Sequence, residues 1–212
     1  MTIRHHLSDQ LLMAYSAGEL PEAFGLVVAT HLTMCDDCRA RAAAFDAVGG
    51  ALVEAASGPV GPMDDMLARI LALPQSRPET PAPRRRSILP APLADYAGGD
   101  LDAVRWRPVG MGVRQAILPT DKGATARLLY IPAGQSVPDH GHRGMELTLV
   151  LQGAFRDETD RFGRGDVEIA SENLNHTPVA EPGADCICLA ATDAPLRFRS
   201  FIPRLAQPFL RI

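Results

Sequence analysis

Along residues 1–73 apolar side chains recur at three- and four-residue intervals, the spacing that gathers them on one face of a helix. Ser8 before Asp9 is a capping start, with Leu11, Leu12, Ala14 and Tyr15 as the apolar stripe and Gly18 as a stop. Pro21 opens a second helix whose stripe is Phe24, Val27, Val28, His31 and Leu32. A third helix is predicted from about Asp36 to Ala56, burying Phe45, Val48 and Leu52. A fourth begins at Pro62, with Asp64 and Asp65 at its positive end and Met63, Met66, Leu67, Ile70 and Leu71 on its apolar face. Four short helices bury little surface, so a region this small calls for a metal or a partner.

The pattern breaks at residues 74–93, where six prolines in twenty positions remove amide donors and predict a semi-extended linker. The run Arg84, Arg85, Arg86 inside it reads as solvated linker charge. Beyond it, VRWRPV, VRQAILP, ARLLYIP, ELTLVLQG, DVEIA and DCICLAA are short β-rich runs separated by turn residues. Six or more strands in residues 94–212 predict a double sheet or small barrel. The fold class is therefore α + β in two domains, all-α at residues 1–73 and all-β at residues 94–212.

Composition changes this picture in two respects. No apolar run is long enough to span a bilayer, and no signal-peptide pattern opens the chain, which predicts a cytoplasmic protein whose four cysteines are ligands or thiols. The net charge of −4 is unevenly spread. Four arginines against nine acidic residues leave residues 1–73 at −5, which argues against direct nucleic-acid binding and suits a domain that covers a basic surface on a partner.

His31, Cys35 and Cys38 fall at i, i+4 and i+7, along one face of a helix or of a helix end turning into the next. Two thiolates and an imidazole match the tetrahedral preference of zinc, and the helical surroundings do not suit a redox CxxC. His5 or His6 can supply a fourth ligand from the lead-in to the first helix, and His6 is preferred. Read this way, His6, His31, Cys35 and Cys38 resemble the zinc-binding anti-sigma domain. The resemblance implies a grip on an extracytoplasmic-function-type sigma factor.

A second cluster lies in GQSVPDHGHRGMELTLVLQG, residues 134–153, where His140, His142 and Glu146 precede an apolar strand. His176 follows eleven residues after Gly165. Three imidazoles and a carboxylate suit a divalent first-row metal, expected here to be zinc. The first stretch resembles the first motif of the cupin family, a double-stranded β-helix barrel. The second departs from the family pattern at Ser171, Asn173 and Ala180. Cys186 and Cys188 share a strand face, either as packing residues or beside the barrel pocket, where oxidation would alter the metal site.

A zinc anti-sigma region, a proline-rich linker and a cupin together resemble the ChrR family of anti-sigma factors across the whole chain. The resemblance implies inhibition of the sigma factor, in a 1:1 complex, by the first domain. It implies release driven by the second under photo-oxidative stress, singlet oxygen and related oxidants. The mechanism expected here is that an oxidant or organic peroxide alters the barrel metal site and that the change passes through residues 74–93. The competing expectation is a cupin metalloenzyme, a dioxygenase or hydrolase, carrying a helical accessory domain.

Overall fold

The computed structural model describes residues 2–56, 58, 64–74, 87–171, 174–198 and 207. Five helices lead: α1 (Asp9–Ser16), α2 (Glu22–Leu32), α3 (Asp36–Ala55), α4 (Asp64–Leu71) and α5 (Ala91–Ala97). Ser8 caps α1 by accepting from the Leu11 N–H, and Pro21 stands at the N-cap of α2. The third helix ends within one residue of its predicted limit, but its buried side is shorter than predicted. Cys38 and Ala42 are buried, whereas Val48 and Leu52 are 60% and 68% exposed. Helical period reports which residues share a face, not whether that face is covered. The predicted start of the fourth helix, Pro62 and Met63, lies outside the described residues, as does the Arg84–Arg86 run. Helix α5 was not predicted: Pro90 at its N-cap and Pro92 in its first turn open a helix that the proline density concealed.

The strands are β1 (Arg107–Gly110), β2 (Val113–Ile117), β3 (Thr125–Ile131), β4 (His140–Gly141), β5 (Glu146–Gln152) and β6 (Ala154–Arg156). They continue as β7 (Arg161–Gly163), β8 (Val167–Ala170), β9 (Asn175–His176), β10 (Val179–Ala180), β11 (Cys186–Thr192) and β12 (Arg197–Phe198). A six-stranded antiparallel sheet runs β1-β2-β3-β11-β5-β8, and two three-stranded sheets run β10-β6-β7 and β12-β4-β9. Gly153, which closes the first histidine stretch, has φ +69 between β5 and β6, and a side chain there would meet the Asp185 carbonyl.

Both faces of the large sheet are buried at its central strands β5 and β11. One face lines a cavity against the smaller sheets through Leu129, Thr148, Glu168, Cys188 and Ala190. The alternate residues Leu128, Leu147, Leu149, Leu151 and Leu189 pack in one continuous core with Phe24, Val27 and Val28 of α2 and Leu93 of α5. Two-sided burial explains why ELTLVL and CICLAA are unbroken apolar runs rather than alternating ones. Glu22 reinforces the contact, accepting from the Tyr96 hydroxyl and from the Asp121 N–H, both at 2.6 Å. The helical region and the double sheet are thus joined by packing as well as by the chain between them.

Candidate metal centres and their neighbours

The first cluster is assembled where α2 gives way to α3. Helix α2 stops at Leu32, and Cys35 adopts extended backbone as the N-cap of α3, its sulfur accepting from the Cys38 N–H at 3.4 Å. Both sulfurs therefore sit at the N-terminal end of a 20-residue helix. The lead-in to α1 brings His6 Nδ1 to 3.3 Å from Cys35 Sγ and 3.6 Å from Cys38 Sγ. His5 is directed elsewhere, its ring tilted against Phe162 with centroids 4.4 Å apart. The ligand atoms of His6, His31, Cys35 and Cys38 all lie within 4.8 Å of one another.

His31 is fully buried, and its Nδ1 donates to the Gly165 carbonyl at 2.9 Å, leaving a buried Nε2 with no protein partner. Burial holds this ring near a pKa of about 4, so it is neutral with a lone pair at Nε2. Burial also pushes the Cys38 thiol up to about 11. A buried, unpartnered ring nitrogen beside two cysteines and a second imidazole fits a zinc ion, whose charge two thiolates would cancel.

The second cluster lies at the mouth of the cavity. His140 and His176 are cross-strand partners in β4 and β9, and His142 directly follows β4, two residues after His140. His140 Nε2 and His142 Nε2 each stand 3.2 Å from His176 Nε2. The outer nitrogens fix the tautomers. His140 Nδ1 donates to the Pro138 carbonyl at 2.8 Å, and His176 Nδ1 donates to Asp157 at 2.8 Å and Glu168 at 3.0 Å. Two ring lone pairs consequently face each other at 3.2 Å, an arrangement that requires a cation or a proton between them. The three histidines fit a divalent ion on that ground. Glu146 stands beside them, its carboxylate 3.8 Å from His142 Nδ1 and accepting from the Thr148 hydroxyl at 3.0 Å.

Asp157 and Glu168 are functional neighbours that sequence reading missed. Both side chains are buried, and with His176 they form a third group of possible ligands. Burial raises Glu168 to about 7, while hydrogen bonds from Glu168, Thr159 and His176 overcome burial and hold Asp157 well below the usual carboxylate range. Burial pulls His176 down, but Glu168, Asp157 and Glu146 outweigh it and lift the ring to about 9. The available signal was a glutamate on the inward-facing position of the apolar strand DVEIA.

The cavity behind the histidines encloses about 260 Å³ and is mainly apolar, with Val109, Leu129, Ile131, Phe155 and Phe198 in its wall. Cys188 also lines it, and Cys186 belongs to the same buried cluster as Phe155 and Phe162, with 3.5 Å between the two sulfurs. The second-motif residue Asn173 lies outside the described residues.

Comparison with known proteins adds three findings. Residues 96–195 match the family model described as the ChrR cupin-like domain. The chain is 67% identical over 214 residues to the anti-sigma-E factor ChrR of Cereibacter sphaeroides, the match covering all of both chains. Among solved structures it is similar to a crystal structure of Rhodobacter sphaeroides SigE in complex with the anti-sigma ChrR. That match has 65% identity and a TM-score of 0.80, covering 91% of this chain and 100% of the other.

Proposed function

The chain belongs to the ChrR family of anti-sigma factors, and from that membership we propose that it binds an extracytoplasmic-function-type sigma factor, one to one, and holds it inactive. The observation that carries this reading is an uncovered apolar surface on the helices. Val48, Leu52 and Val53 on α3 and Met66, Leu67, Ile70 and Leu71 on α4 are all exposed, from 55% to 76%. Surface of this extent on two amphipathic helices fits a protein partner, and the −5 charge of residues 1–73 complements the basic face of a DNA-binding protein. The similar ChrR structure, solved with SigE, supplies the class of partner.

In this reading His6, His31, Cys35 and Cys38 hold zinc, which supplies a structural cross-link between the lead-in, α2 and α3. His140, His142, Glu146 and His176 hold a second divalent ion, expected to be zinc, in the barrel. Asp157 and Glu168 keep the His176 ring turned inward by accepting from its Nδ1. The apolar cavity admits the inducing molecule to those residues, and photo-oxidative stress, singlet oxygen or organic peroxides, acts there to free the sigma factor. The protein works in the cytoplasm without touching nucleic acid directly. Among the described residues no helix is long and apolar enough to cross a membrane.

Co-purification of the full chain with a cognate sigma factor tests the reading. The expected result is a 1:1 complex that Cys35→Ser or Cys38→Ser abolishes. Joint replacement of His140, His142, Glu146 and His176 should leave the complex intact but insensitive to singlet oxygen. Stress-induced release that survives that replacement would remove the sensing role. Steady turnover of a small organic substrate by an iron- or manganese-loaded barrel would instead favour the metalloenzyme.

A further inference from the structure

The helical metal cluster is completed by a turn that belongs to the barrel. Between β7 and β8 the chain reverses through Arg164, Gly165 and Asp166, and this turn touches two of the four cluster residues or their immediate neighbours. The Gly165 carbonyl accepts from His31 Nδ1 at 2.9 Å across 134 residues of sequence. The Asp166 carboxylate accepts from the Arg4 N–H at 2.6 Å and the His5 N–H at 3.0 Å, directly before His6. Its other oxygen accepts from the Gly163 N–H at 2.8 Å, tying the aspartate to its own turn. One further bond, from the Val167 N–H to the His5 carbonyl at 3.2 Å, continues β8 along the lead-in.

The turn is shaped for this contact. Gly165 has φ +91, a conformation that side chains disfavour, and a Cβ there would come within 2.7 Å of Ile3 Cδ1. A glycine lets the lead-in lie directly on the turn and aims the carbonyl at His31. If the turn withdrew, the buried His31 N–H would lose its partner and the ring would be free to exchange tautomers or rotate. Exchange would put the proton on Nε2 and remove its lone pair, and rotation would carry that nitrogen away from Cys35 and Cys38. The Asp166 contacts act on the other imidazole, because they fix the backbone from which the His6 side chain projects.

We propose that the Gly163–Asp166 turn of the barrel is a positioning element for the helical metal site, with the Gly165 carbonyl orienting His31 and the Asp166 carboxylate placing His6. This inference rests on the reading of His6, His31, Cys35 and Cys38 as metal ligands. It also names a direct route between the two clusters. The residue after Val167 is Glu168, whose carboxylate accepts from His176. A displacement of β8 at the barrel cluster would therefore reach His31 within four residues, without involving residues 74–93.

The test uses the full chain loaded with cobalt(II), whose thiolate-to-metal absorption reports only on the cluster that contains Cys35 and Cys38. Fluorescence of Trp106, the single tryptophan, monitors the barrel independently. Asp166→Ala should weaken cobalt binding at the thiolate site 10- to 100-fold, the range found for the outer partners of ligating histidines, and shorten its lifetime against a chelator. Asp166→Asn keeps an acceptor for Arg4 and His5 and should fall between Asp166→Ala and the parent. Lys122→Ala, exposed in the turn between β2 and β3 and part of neither cluster, should leave the thiolate band unchanged. Parent-like affinity and spectra in both Asp166 variants would overturn the proposal, as would losses that appear only together with loss of the Trp106 signal. A parent chain with no thiolate–cobalt band would instead remove the metal reading itself, and the inference with it.

Discussion

Three ionisable residues set opposite pH dependences in the metal-free protein. Glu168, near 7, and His176, near 9, both hold protons more tightly folded than unfolded, from reference values of 4.5 and 6.5. Their stabilisation is complete at low pH. It is lost as the pH rises from about 4.5 to 7 for Glu168 and from about 6.5 to 9 for His176. His31 behaves in the reverse sense: with a folded value near 4, its contribution is present above about 6.5 and is lost as the pH falls toward 4. Chelator-stripped protein should therefore lose several degrees of melting temperature between pH 6.5 and 9, at roughly 2–4 °C per kcal/mol for a chain of this size. Zinc-loaded protein should lose little over that interval, because the ion replaces the proton between His140 and His176. Calorimetry of both forms across the range checks this. The Cys38 thiol, near 11 without metal, must release its proton when an ion binds. Affinity at the helical cluster should rise about tenfold per pH unit for each proton displaced, measured by chelator competition at pH 6.5 and 7.5.

At the scale of elements, α3 divides into a buried first half and an exposed second half. Leu52→Asp should alter unfolding free energy by no more than about 0.5 kcal/mol, because the side chain is 68% exposed in the free protein. The same change should weaken sigma-factor binding at least tenfold in a titration, and equal loss of stability and binding would show that the residue serves the fold instead. The first four helices, the six strands of the large sheet and the residues of both candidate clusters were legible in the sequence because their signals are local: a capping serine, H-x3-C-x2-C, or two histidines two residues apart. What was hidden depends on register and docking. Asp157 and Glu168 reach His176 only through the β6–β7 hairpin and the pairing of β8 with β5. Val48 and Leu52 follow the same apolar period as buried residues, and period carries no information about cover. The prolines that marked a linker also began α5, since proline disrupts a helix interior but suits its first turn.

The whole molecule is held by one hydrophobic core that runs from α1 and α2 through the large sheet. Leu149 is fully buried on the helix-facing side of that sheet. Leu149→Ala should cost about 2–5 kcal/mol. The loss should lower the Trp106 and thiolate–cobalt transitions together, in thermal melts followed by both signals. Independent transitions would mean that the two regions do not unfold as a unit. The His31–Gly165 contact also has a consequence in time. The ring is made early in synthesis, whereas the carbonyl that orients it emerges 134 residues later. At 5–20 residues per second that interval is roughly 7 to 27 seconds. Throughout it, α1 to α3 can form while the cysteines still lack their finished pocket. A nascent chain is thus exposed to thiol oxidation before its barrel exists, and slowed synthesis beyond α3 would lengthen that vulnerable period.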